Sequence, residues 1–130
     1  MNNRFVASTP PEETERPQRP TPADVELLEF ARELEFAARD LYRTALDGGS
    51  LGDDASKVLA VIHDTHGAAG NNLSGLLGVQ APPVESSSIY DDRAEAFGGS
   101  ESDVLAAAYE LESEIVATHA DLIGRVESTD

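Results

Sequence analysis

The chain has 130 residues, no cysteine, and 9 basic against 25 acidic side chains, a formal charge of −16. With a single lysine, Lys57, it lacks the clustered cations that neutralise a phosphate backbone, so nucleic acid is excluded as a partner. Disulfides, thiolate metal sites and cysteine nucleophiles are excluded too, and any metal must be held by His, Glu, Asp or Tyr.

No stretch approaches the ~20 consecutive apolar residues that span a bilayer, and Met1–Pro10 has no apolar signal core, so the expected location is cytoplasmic, away from membranes. Five of the seven prolines fall between Pro10 and Pro22 in a segment with little to bury, which predicts a Pro-rich disordered tail over 1–21 and a folded domain over 22–130. The tail's arginines (Arg4, Arg16, Arg19) balance its glutamates (Glu12, Glu13, Glu15), leaving the net negative charge on the folded part.

Thr21-Pro22-Ala23-Asp24 predicts a helix start: a capping hydroxyl, a proline in the first turn, and an acid near the positive end of the helix dipole. Leu27, Ala31, Leu34, Ala38, Leu41 and Ala45 then follow a 4-3-4-3-4 spacing, one face of a helix over 22–47 that Gly48-Gly49 ends. A second helix over 53–77 carries Leu59, Ile62, His66, Ala69, Leu73 and Leu76. Its internal Gly67, Gly70 and Gly75 call for close packing or a bend, because each costs about 1 kcal/mol relative to Ala. Residues 79–100 read as a long crossover with one or two helical turns around Asp91–Phe97. A third long helix over 102–127 presents Leu105, Ala108, Leu111, Ile115, Leu122 and Val126. Nothing shows strand periodicity, so the fold class is all-α with three long helices.

Displacing the chain by 77 positions superposes the first and third helices, with Glu35 on Glu112 and Tyr42 on His119 in the pattern A-x-x-L-E-x6-[Y/H]. Seven residues are about two turns, so each Glu lies in line with its Tyr or His, among apolar neighbours that make an uncompensated carboxylate costly. His63 and His66 stand at i, i+3 on the edge of the second helix's apolar face. Two carboxylates and two imidazoles on inward stripes are candidate metal ligands, and a mutually hydrogen-bonded polar core is the competing reading.

The helix ELEFAARDLY, the second helix with His66 running into L-S-G-L-L-G, the Pro-containing crossover and the third helix with Glu112 together resemble the ferritin-like domain family. The resemblance spans roughly 22–130 and is closer to bacterial ferritin-like domain proteins than to iron-storage cages. It implies an up-down helical bundle with a long crossover and a core site for iron or manganese. Metal ligands would be Glu35, His66 and Glu112, joined by His63, with Tyr42 and His119 beside them. Two departures stand out: His63-x-x-His66 replaces E-x-x-H, and the sequence reaches Asp130 before a fourth long helix. The function so implied is metal binding with oxidoreductase or peroxide-related activity. The alternative is a non-catalytic interaction module that has lost its metal. In either case a homo-oligomer or a helical partner is expected to cover the missing fourth-helix position.

Overall fold

The computed structural model describes residues 21–78 and 87–128, and side chains up to Arg125. The described residues form four helices: α1 (Pro22–Asp47), α2 (Asp53–Leu77), α3 (Ser88–Phe97) and α4 (Glu101–Ser128). The all-α expectation and the bounds of the long helices agree with this, and the count of three is corrected to four. The added element is α3, a ten-residue helix within the crossover. Ser87 caps it by accepting from the Tyr90 amide, and Phe97, fully buried, anchors its end. The Pro-rich tail, apart from Thr21, and the first part of the crossover lie outside the described residues.

Local chemistry sets the helix ends as read. Thr21 and Asp24 form a reciprocal capping box ahead of Pro22. Gly49 turns the chain at φ +79 after α1. The next two helix starts are tied together: Gly52 donates to Glu101 Oε1 at 2.6 Å, and Ser50 Oγ donates to the Gly99 carbonyl at 2.8 Å. Both α2 and α4 therefore begin at the end of the bundle where α1 finishes, and run antiparallel to it.

α1 is central and packs against each of the other helices. Leu34, Ala38, Leu41, Tyr42 and Ala45 of α1 meet Leu59 of α2, Phe97 of α3 and Val104, Ala108, Leu111 and Ile115 of α4 in one core. Two expected core leucines are corrected by one position. Leu76 is 64% exposed while Leu77 is buried, and Leu105 is 45% exposed while Val104 is buried. One residue is about 100° of helix, enough to move a side chain from core to rim. The burial expected for Val126 falls outside the described side chains.

The glycines of α2 divide by environment. A Cβ on Gly70 would stand 2.7 Å from the Phe36 ring, so this glycine permits the α1–α2 approach, whereas Gly75 has open space around it. Gly75→Ala is expected to stabilise the protein by about 0.5–1 kcal/mol through helix propensity. Gly70→Ala is expected to destabilise it by about 1–2 kcal/mol, because overpacking against Phe36 outweighs that gain. Urea unfolding of the two variants checks the opposite signs; two stabilised variants would disprove the close contact.

A candidate metal centre in the bundle core

Two carboxylates, two imidazoles and a phenol from three helices converge beside the core, built on the Glu-x6-[Tyr/His] repeat. Glu35 is 2% exposed, Tyr42 is fully buried and His66 is 5% exposed. The Glu112 and His119 side chains, each 38% exposed, close the cluster at its edge. His66 Nδ1 stands 2.6 Å from Glu35 Oε1, and its Nε2 stands 2.7 Å from Glu112 Oε2. Tyr42 donates its hydroxyl to Glu112 Oε2 at 2.6 Å, and His119 Nε2 lies 2.6 Å from Glu35 Oε2. The result is an unbroken chain: His119, Glu35, His66, Glu112, Tyr42.

The repeat acts by exchange. Each glutamate shares a line with the residue seven positions on in its own helix, yet bonds to the corresponding residue of the other helix. Tyr42 of α1 serves Glu112 of α4, and His119 of α4 serves Glu35 of α1. Antiparallel packing of α1 on α4 produces this crossing, with His66 of α2 joining the halves through its two ring nitrogens.

Packing fixes the ring planes as well. The Tyr42 ring stacks on the His66 imidazole at 5.7 Å and 4°, while Phe97 meets Tyr42 edge-on at 5.5 Å. Burial works against a charged imidazole at His66, but the Glu112 and Glu35 carboxylates on either side outweigh it and raise its pKa to about 9. Burial likewise works against the Glu112 anion, and hydrogen bonds from His66 and Tyr42 override it, so its carboxyl titrates below the usual range. Burial, then the Glu112 hydrogen bond and charge, push the Tyr42 phenol far above its ordinary range, so it remains a donor. Near neutral pH, His66 is an imidazolium donating through both nitrogens.

Of the sequence candidates, Glu35, His66 and Glu112 come together, and Tyr42 and His119 join them. His63 does not. Its Nδ1 pairs with Asp64 Oδ1 at 2.9 Å, since three residues of helix turn it about 60° from His66. Among the described residues, no group of three or more His, Asp or Glu side chains is arranged as it stands to hold a metal ion. The cluster's polar atoms are instead joined by hydrogen bonds.

The donor set nevertheless fits such an ion chemically. Carboxylate oxygens and imidazole nitrogens suit iron and manganese, and adjacent donors around an ion at ~2.1 Å stand about 3.0–3.4 Å apart. Only the Glu35 side gathers three donor groups, and opening its two 2.6 Å contacts to His66 Nδ1 and His119 Nε2 by roughly half an ångström would bring them to that spacing. No described helix is long and apolar enough to cross a membrane. The chain matches no protein-family model, no curated protein and no solved structure.

Proposed function

We propose that this chain is a ferritin-like helical protein that binds iron or manganese in its bundle core. The observation that carries this reading is that His119, Glu35, His66 and Glu112, from three helices, stand in a row with 2.6–2.7 Å between successive members. Carboxylates buried beside imidazoles need a cation, and at neutral pH the His66 proton supplies one; a divalent ion that displaces that proton meets the same need. Glu35, His119 and the Nδ1 of His66 would hold the metal, with Glu112 accepting from the other ring nitrogen of His66. Such an ion supplies one-electron redox chemistry toward oxygen or peroxide.

The chain's own residues would do the positioning. Tyr42 holds the Glu112 carboxylate by its hydroxyl and the His66 plane by its ring. Only one nitrogen of His66 can ligate a given ion, so the other stays a donor to the remaining carboxylate and fixes the ring's tautomer. The half-exposed Glu112 and His119 form the side by which an ion or small oxidant would enter.

A second reading, an interaction module with a metal-free polar core, is favoured by a different observation. Leu105, Tyr109, Val116 and Ile123 are exposed and share one α4 stripe with Glu112 and His119 at 4-3-4-3-4 spacing. A helix of a second copy of the chain would bury that stripe and the cluster's open edge together.

Elemental analysis after iron or manganese loading and desalting, paired with light scattering, separates the two. Metal binding predicts about one ion per chain, lost in Glu35→Gln, which keeps the side chain's shape but removes its charge. Absence of retained metal overturns the first reading, and a concentration-independent monomer overturns the second.

A further inference from the structure

We propose that the groove between α1, α2 and α3 is a binding site for a small phosphorylated molecule, independent of the core cluster. Arg32, Phe36, Arg39 and Arg43 follow a 4-3-4 spacing, one stripe of α1, and all four line a groove of about 710 Å³. That volume lies within the roughly 300–1,000 Å³ of small-molecule sites. The described residues hold six Lys and Arg side chains (Arg32, Arg39, Arg43, Lys57, Arg93, Arg125) against nineteen Asp and Glu, so half of the cations surround one groove.

The arginines are held in place beside the groove. The guanidinium carbons of Arg39 and Arg32 lie 4.6 and 5.8 Å from the centre of the Phe36 ring, so both side chains rest against one aromatic ring. Arg32 Nε also donates to Ser74 Oγ of α2 at 2.8 Å, which links two helices that line the groove. Arg39 uses Nε for Asp40, and Arg43 reaches Asp47 through Nη1 at 3.4 Å. Both pairs are substantially exposed, and exposed pairs of this kind exchange readily for a better oxyanion. Asn71 and Ser74 add an amide and a hydroxyl at the α2 wall.

Phosphate is the anion this arrangement favours, because guanidinium forks pair two N–H groups with two phosphate oxygens. Charge limits the size of the ligand. Three arginines against Glu33, Asp40 and the Asp47 that pairs with Arg43 bring the groove to local neutrality in a chain of −16. A compact phosphate ester suits that balance, and a nucleic-acid backbone does not.

The test is titration of the full chain with pyrophosphate at constant, low ionic strength, followed by backbone amide NMR shifts. Saturable shifts at residues 32–44 and 71–74 are expected, weakened at least tenfold in Arg39→Gln and unchanged in Arg125→Gln on distant α4. Linear, non-saturating shifts, or equal affinity in Arg39→Gln, would overturn the proposal. Tighter binding of citrate than of pyrophosphate would overturn the phosphate assignment.

Discussion

Replacing Glu35 by Ala is expected to lower the stability of the metal-free protein by about 3–5 kcal/mol, the largest effect of any single substitution in the site. Glu35 is 2% exposed and accepts from two imidazoles, so its loss leaves His66 buried with one carboxylate and strips His119 of its partner. A cavity would add to that cost. Glu35→Gln should cost less, because an amide oxygen still accepts one of the two bonds while its NH2 faces the other. The double replacement Glu35→Leu, His66→Leu should cost less than the two single replacements summed, since removing both partners together leaves no orphaned buried charge. Urea unfolding with constant m-values measures all of these. A Glu35→Ala variant as stable as the parent would mean that the chain of hydrogen bonds through Glu35 contributes nothing to the fold.

The same residues show what a sequence can disclose and where it stops. Glu35 and Glu112 were legible because each is a carboxylate within an apolar stripe, and their repeat brought Tyr42 and His119 with them. That each glutamate would bond to the other helix's partner was not legible, since it depends on α1 and α4 packing antiparallel in one register. His63 and His66 looked equivalent at i, i+3. The rotation of α2 decides between them, and only His66 faces both glutamates. Leu76 against Leu77, and Leu105 against Val104, are neighbouring apolar residues that periodicity alone cannot rank. Ser87 and the apolar Ile89, Tyr90, Ala94 and Phe97 carried the signal for α3, diluted within an acidic connection. The arginine stripe was hidden for another reason. Net charge averages over the whole chain, whereas a site feels the charges within about one Debye length.

Raising the pH from 6.5 to 9 is expected to weaken the metal-free protein, a trend opposite to that of acid denaturation. The folded pKa of His66 stands near 9 against an ordinary 6.5, so the folded state holds a proton that the unfolded chain has released. Its stabilisation is complete below pH 6.5 and is lost as pH rises through 9, on the order of 3 kcal/mol in all. Glu112 works in the other direction: its carboxyl is lowered, so its contribution is present above the ordinary glutamate range and lost as pH falls through the folded value. Stability of the chelated protein should therefore be greatest between these limits, at mildly acidic to neutral pH. His66→Gln should flatten the alkaline limb, because no proton remains there to be lost. Bound metal should reverse the trend. An ion that takes the place of the His66 proton binds more tightly as that proton leaves, so stabilisation by iron or manganese over the chelated form should grow across the same pH window. Unfolding midpoints at pH 6.5, 7.5 and 9, with and without manganese, would show both slopes. A chelated protein whose stability is flat from 6.5 to 9 would mean that His66 does not carry its proton in the fold. A manganese effect independent of pH would place the ion somewhere other than His66.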